Sequence, residues 1–203
     1  MRRLANLSPS SLLTIDLAIK VVTVALLGWA ILNPDLPQFQ GKAFAGRAIA
    51  YPVALLIIPL GWWVFGSRTI AFPVTADILF GLPFLIDVVG NALNLYDTIE
   101  WWDDANHLVN WALQTSAIGL LLRHGEWSPA TRAALAFGYA VTTAVLWEFA
   151  EYVTFVPNSP EAATAYADTL LDLALGMVGG LMAAIATSRM PLISVASGRP
   201  PGG

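Results

Sequence analysis

The chain alternates between long apolar stretches and short polar breaks. Each stretch approaches the roughly 20 residues that an α-helix needs to cross a bilayer. Six helices are predicted in this way, over residues 13–32, 48–66, 72–93, 105–123, 130–155 and 166–188. The breaks contain residues that end or begin helices, such as Pro34 after the first stretch and Ser128 before Pro129 at the fifth. The pattern therefore predicts an all-α, polytopic transmembrane bundle of about six spans.

Composition supports a membrane location and narrows the function. Hydrophobic residues make up 57% of the 203 residues and charged residues only 12%, against roughly 25% in soluble domains. The net charge of -4 argues against a nucleic-acid partner, which would need basic patches. The absence of cysteine excludes disulfides and thiolate metal ligands. The expected partner is the lipid bilayer, and the oligomeric state stays open.

The distribution of basic residues predicts the orientation in the membrane. One side collects Arg2, Arg3, Arg68, Arg123, Arg132, Arg189 and Arg199, whereas the other has only Lys42 and Arg47. The positive-inside rule therefore places both termini in the cytoplasm. We expect a single transmembrane domain over residues 1–188 and a disordered cytoplasmic tail over 189–203. Arginine outnumbers lysine and alanine is abundant, which indicates a bacterial gene and thus the bacterial inner membrane.

Acidic residues and a histidine recur near the predicted outer ends of three spans. They form pairs spaced by three or four residues, so the members of each pair share one helix face. The pairs are Asp103 with His107, Glu148 with Glu151, and Asp168 with Asp172. Carboxylates near hydrocarbon need a partner, and neighbouring carboxylates repel each other. A divalent cation such as Zn, Mn, Fe or Mg would neutralise them, and no organic cofactor is indicated.

Three functional hypotheses remain open from the residues. The first is a metal-dependent enzyme at the outer leaflet, acting on a lipid-linked or phosphorylated substrate. Its metal ligands are predicted to be Asp103, His107, Glu148 and Asp172. Glu151 or Asp168 is the predicted general base that activates water. Asn110 and Gln114 extend the polar stripe of His107 inward and are expected to line the floor of the pocket.

The other two hypotheses assign the acidic residues differently. In a cation or proton transporter, Asp77, Asp87 and Asn91 would continue a polar trail along the third span, with no basic residue lining it. In a non-catalytic protein, the cluster would lock the bundle, bind a lipid or partner, or cap helices. Asp104 or Asp103 would then cap the fourth helix, and Asp168 the sixth.

Two further patterns concern packing rather than chemistry. Lys20 lies one turn after Asp16 in the first span and is expected to pair with it, and Asp77 is a candidate partner for Lys20 across helices. Gly176, Gly179 and Gly180 predict a close contact between the last span and a neighbouring helix.

The ordered motifs resemble those of the YjdF-like family of bacterial inner-membrane proteins and, more distantly, those of VanZ-like proteins. They are Asp-x-x-x-His at 103–107, Glu-x-x-Glu at 148–151 and Asp-Thr-x-x-Asp at 168–172, followed by the glycines. The family often has lysine after the first aspartate, where this chain has Asp104. The resemblance covers the last three spans. It implies a polytopic membrane protein and no particular activity.

Overall fold

The computed structural model describes residues 8–154, 156 and 160–193, and every regular element within them is helical. The elements are α1 (Pro9–Leu32), α2 (Phe44–Leu55), α3 (Ile57–Gly61), α4 (Val74–Ala92), α5 (Leu95–Thr98), α6 (Trp102–Leu121), α7 (Pro129–Thr154) and α8 (Ala165–Ser188). A π-helical turn, Trp62–Gly66, extends α3, so α2, α3 and this turn form one long segment, Phe44–Gly66. Short 3-10 turns follow α6 and precede α8.

Each of the six predicted stretches corresponds to a helical segment, and the predicted limits are within four residues of the observed ones. The largest differences are at the N-termini, where α1 begins at Pro9 and α2 at Phe44. The cap explains the first difference, because Ser8 Oγ accepts a hydrogen bond from the backbone N–H of Ser11 at 3.1 Å. The cap predicted at Ser128 is confirmed, since its hydroxyl oxygen accepts from the backbone N–H of Thr131 at 3.1 Å.

Some predictions lie outside the described residues. These are the last residue of the fifth predicted span at 155, the break at 157–159, the basic residues Arg2, Arg3 and Arg199, and most of the predicted tail, at 194–203.

Within the part of the chain that the structure describes, five helical segments are long and apolar enough to cross a membrane. They are Pro9–Leu32, Phe44–Gly66, Val74–Ala92, Pro129–Thr154 and Ala165–Ser188. The remaining long helix, α6, has 20 residues but carries many polar side chains. It packs against α4, α7 and α8, and it buries Asn106, His107 and Gln114. Its polar side chains therefore face other helices, which explains why hydropathy alone does not qualify it as a span.

Lys20 links α1 to α4 through a buried ion triad. Its Nζ donates to Asp16 Oδ1 at 2.6 Å and to Asp77 Oδ2 at 2.7 Å. Asp77 is only 2% exposed. The expected Asp16 pairing and the candidate Asp77 pairing across helices are both confirmed.

Replacing Lys20 with methionine should destabilise the bundle by about 3–5 kcal/mol, because two acidic groups then share an apolar environment without a cation. Thermal unfolding in detergent, followed by circular dichroism, measures the loss. The triple variant Lys20→Met, Asp16→Asn, Asp77→Asn removes all three charges of the triad and leaves none unpaired, so it should recover most of the stability. Equal melting temperatures for the single and triple variants would contradict this account of the triad.

The predicted glycine contact is confirmed between α8 and α6. A Cβ atom at Gly179 would overlap the backbone carbonyl oxygen of Leu108, and one at Gly176 would meet the Trp111 ring at 2.6 Å. At Gly180 the neighbour is the Cβ atom of Ala140 on α7, at 2.5 Å. The backbones of α6 and α8 therefore touch directly at this depth. This contact fixes the distance between the side chains that the two helices present one to two turns away.

Candidate metal centre

A cavity of about 270 Å³ lies where the beginnings of α2, α6 and α8 meet the ends of α4 and α7. Six carboxylates of the described residues line it, namely Asp87, Asp97, Asp103, Glu148, Glu151 and Asp168. The cations in its lining are Lys42 and Arg47. Asn110 and Gln114 also line the cavity, as the stripe below His107 predicts. Helix ends that are far apart in sequence therefore bring acidic, basic and imidazole groups to one depth.

His107 lies at the centre of the acidic residues and is 6% exposed. Its Nε2 is 3.8 Å from Asp103 Oδ1 and 3.7 Å from Asp172 Oδ1. Its Nδ1 is 3.8 Å from Glu148 Oε1. These separations are too long for hydrogen bonds. They suit two ligand atoms that share a metal ion, because each ligand then lies about 2.0–2.2 Å from it.

Asp172 provides a second, independent indication that a cation binds here. Its side chain is 3% exposed, and its Oδ1 has no hydrogen-bond partner among the described residues. The same oxygen is the one that faces His107 Nε2. A buried carboxylate oxygen without a donor is costly and rare in folded proteins. A cation beside this oxygen would remove the cost.

The potential ligands fall into two sets that share the imidazole ring. One set is Asp103, His107 and Asp172, and the other is His107, Glu148 and Glu151; within each set the ligand atoms lie within 4.8 Å of one another. Asp103 and Asp172 approach Nε2, whereas Glu148 approaches Nδ1. The four predicted ligands therefore surround the ring, with α8 supplying one side and α7 the other. One nitrogen cannot serve all of them, so the simplest four-ligand centre does not match this geometry.

The two predicted general bases occupy different environments. Glu151 is partly buried and belongs to the set formed with His107 and Glu148. Asp168 is exposed in the isolated chain and lines the cavity one turn before Asp172. Both are placed where they could exchange a proton with a group in the cavity.

Helix capping does not account for the acidic residues. The residue preceding α6 is Trp101, and Asp103 and Asp104 lie inside the first turn without a capping hydrogen bond. At α8 the cap position is Thr164, and Asp168 again lies in the first turn. The capping interpretation is therefore wrong for all three residues. Their negative charges still favour the positive ends of the two helices.

Sequence reasoning missed the network around Asp87. Arg47 Nη1 donates to Asp87 Oδ2 at 2.9 Å and to Oδ1 at 3.0 Å. Tyr51 donates its hydroxyl to Oδ2 at 2.6 Å, Tyr96 donates to Oδ1 at 3.0 Å, and Asn91 Nδ2 adds a bond at 3.2 Å. Asp87 is therefore saturated with donors, which makes it a poor metal ligand and a poor station on an ion path.

Tyr96 and Arg47 show how the two parts of the cavity are connected. Burial, followed by the charges of Asp87 and Asp103, raises the pKa of Tyr96, so its hydroxyl remains a donor. Arg47 and Glu151 line the same cavity. The expectation that no basic residue lines the polar trail along the third span is wrong, because Lys20 binds Asp77 and Arg47 binds Asp87. The available signal was the spacing of Arg47 and Tyr51, one helical turn apart at the predicted outer end of the second span.

Comparison with known proteins adds a family but no activity. A family model described as "Predicted membrane protein (DUF2238)" matches residues 15–191, which include all the cavity residues described above. The match names neither the YjdF-like nor the VanZ-like family. No curated protein and no solved structure matches the chain. Together with the five apolar helical segments, the match makes this a multi-pass membrane protein, and the chain belongs to the DUF2238 family of predicted membrane proteins.

Proposed function

We propose that the protein is a divalent-metal-dependent enzyme of the bacterial inner membrane that acts at the outer leaflet on a lipid-linked or phosphorylated substrate. The observation that carries the proposal is the buried, unpartnered Oδ1 of Asp172, which faces His107 Nε2 together with Asp103. The resemblance to the YjdF-like family agrees with the location in the inner membrane. It contributes nothing to the choice of activity.

The geometry supports a division of labour around the imidazole. Asp103, His107 Nε2 and Asp172 hold the metal, which supplies a Lewis acid in the cavity. Glu148 Oε1, which lies 3.8 Å from Nδ1, would accept a hydrogen bond from the Nδ1–H after a small approach of the two groups, and would then fix the ring orientation as carboxylates commonly do for metal-bound histidines. Glu151 or Asp168 removes a proton from water in the cavity. This division leaves Glu148 as a supporting group rather than the fourth ligand.

The topology proposed is six spans with both termini in the cytoplasm. The support is that α6 is enclosed by α4, α7 and α8, so it can span the membrane despite its polarity. Basic residues of the described chain also gather away from the cavity, at Arg68, Arg123, Arg132 and Arg189. By the positive-inside rule the cavity then opens outward.

The structure favours the enzyme over the transporter. Between Asp77 and Asp87, roughly 15 Å apart along α4, the buried side chains include Phe80 and Phe84, whose rings contact each other. Asp77 is held by Lys20, and Asp87 is held by Arg47 and the tyrosines. The polar trail that a transporter needs is interrupted by this apolar segment.

Elemental analysis of detergent-purified protein tests the metal centre. We expect one divalent metal ion per chain in the parent. His107→Ala and Asp172→Asn should lose that metal, because each removes a ligand from the set of Asp103, His107 and Asp172. Asp104→Asn is the matched control, since it removes a carboxylate from the same helical turn without touching either set. A well-folded parent that binds no Zn, Mn, Fe or Mg after soaking, or equal loss in the control, would favour the non-catalytic hypothesis instead.

Metal-loaded protein is then assayed for hydrolysis of dioctanoyl phosphatidate, and Glu151→Gln and Asp168→Asn are compared with the parent. The variant that removes the base should keep its metal and lose about 100-fold in rate or more. Cation flux into proteoliposomes distinguishes the transporter from the enzyme. The enzyme hypothesis predicts no flux through the parent protein. Metal binding without hydrolysis and with flux would overturn the enzyme assignment.

A further inference from the structure

Arg47 has unused hydrogen-bonding capacity beside the candidate metal centre. Both of its bonds to Asp87 come from one nitrogen, Nη1. Among the described residues, no hydrogen bond from Nη2 or Nε accompanies the two from Nη1, and Arg47 lines the cavity. The guanidinium carbon lies 5.4 Å from the Phe44 ring centroid, which limits its tilt. A planar fork of this kind suits the oxygens of a phosphate group.

The surroundings hold Arg47 in place for a ligand. Hydrogen bonds from Tyr51, Tyr96 and Asn91 hold the Asp87 carboxylate in place. Asp87 is therefore a rigid counter-ion that accepts hydrogen bonds from Nη1 of Arg47 and from neither Nη2 nor Nε. Lys42 supplies a second cation at the same wall, 2.8 Å from Asp97 and 5.9 Å from the Tyr96 ring centroid. Arginine that only neutralised Asp87 would be expected to use both ends of its fork, as bidentate pairs do.

The overall charge of the cavity sets an order of binding. Six lining carboxylates face two lining cations, Lys42 and Arg47. An anion entering this cavity alone meets repulsion at close range. A divalent ion bound between Asp103, His107 and Asp172 reduces the excess negative charge and offers a second positive contact for the same anion.

We infer that Arg47 forms a phosphate-binding subsite that receives a phosphate monoester or diphosphate only after the metal has bound. This inference rests on the proposed function and names its substrate class. The exposed, cavity-lining Tyr152 lies beside exposed Phe149 and Val153 at the end of α7, where an acyl or isoprenoid chain of the substrate could lie against them.

Calorimetric titration of the detergent-purified protein tests the inference, with Mn²⁺-loaded and chelator-treated samples side by side. The probes are inorganic phosphate and dihexanoyl phosphatidate, with dihexanoyl phosphatidylcholine as the phosphodiester control. We expect binding to the Mn²⁺-loaded parent only. Binding of both phosphate probes identifies a general phosphate site, and binding of phosphatidate alone identifies a lipid headgroup site.

The double variant Arg47→Gln, Asp87→Asn removes the fork without leaving Asp87 as an unpaired buried charge. The double variant should lower the affinity for the phosphate probes about tenfold or more and keep Mn²⁺ binding unchanged. Arg68→Gln, in an exposed loop, is the matched control and should bind as the parent does. Unchanged probe affinity in the double variant, or no probe binding to Mn²⁺-loaded parent, overturns the subsite while the metal centre stands. If the parent binds no metal, the proposed function and the binding order fail together, and only Arg47-dependent phosphate binding would keep the subsite.

Discussion

Asp172→Asn should raise the melting temperature of the metal-free protein and at the same time abolish metal binding. Asp172 is almost completely buried, and its Oδ1 receives no hydrogen bond among the described residues. Without a metal, the charge of Asp172 is repelled by the carboxylates of Asp103 and Glu148, which lie beside the same imidazole ring. Asparagine removes the charge at nearly constant shape, so we expect a gain of about 1–3 kcal/mol in the free energy of unfolding.

The gain should reverse when metal is present. A metal at 1,000 times its dissociation constant stabilises the parent by about 4.1 kcal/mol through mass action. The variant cannot receive this contribution if Asp172 is a ligand. Differential scanning fluorimetry at pH 8, with chelator or with Mn²⁺, gives the four melting temperatures that are needed. A residue that merely supports the fold would lower the melting temperature under both conditions.

Asp87→Asn is the control for this prediction, because Asp87 is also a buried aspartate and lines the cavity beside His107. Its carboxylate accepts hydrogen bonds from Arg47, Tyr51 and Tyr96. Replacement should cost about 1.5–3 kcal/mol, since charge-assisted bonds are lost and Arg47 loses its counter-ion. The loss should be similar with and without metal. If the two substitutions change the melting temperature in opposite directions in chelator, the result supports Asp172 as a metal ligand. Changes in the same direction would contradict the proposed centre.

The helices were predictable because the bilayer imposes a length on each apolar stretch and proline or serine marks several of their ends. α1 and α7 follow this logic closely, and only the cap at Ser8 extends α1 beyond its apolar residues. α6 shows the limit of the argument. Its apolar run was recognisable, yet its polarity makes sense only once α4, α7 and α8 surround it. Hydropathy describes contact with lipid and does not report which face meets another helix.

The site was predictable at the level of depth but not of direction. Pair spacing and distance from the helix ends predicted one shared depth for His107 and the acidic residues, and the structure shows that their faces also converge. The assignment of Asp172 to Nε2 and of Glu148 to Nδ1 depends on the rotation of α7 and α8 around α6, which no local pattern encodes. Arg47 was overlooked as a site residue because its partner, Asp87, is 40 residues away in sequence.

The contact that sets this rotation is the one between Gly179 and Leu108, so Gly179→Ala should damage both the fold and the site. The added Cβ overlaps a backbone carbonyl oxygen, which cannot move aside as a flexible side chain could. The two helices must therefore separate. We expect a loss of about 1–3 kcal/mol from overpacking, measured by thermal unfolding in detergent with metal removed.

The same separation should weaken the metal centre. Gly179 lies two turns after Asp172, and Leu108 directly follows His107, so moving the backbones apart also lengthens the distance between Asp172 Oδ1 and His107 Nε2. Gly179→Ala should consequently lower metal affinity even though no ligand has changed. Gly28→Ala is the matched control, because nothing lies within 4 Å of its added Cβ and the residue is exposed on α1. That variant should keep its metal, and its stability should rise slightly because alanine favours a helix more than glycine does. Parent-like stability and metal affinity in Gly179→Ala would show that the helix contact does not hold the two ligands in register.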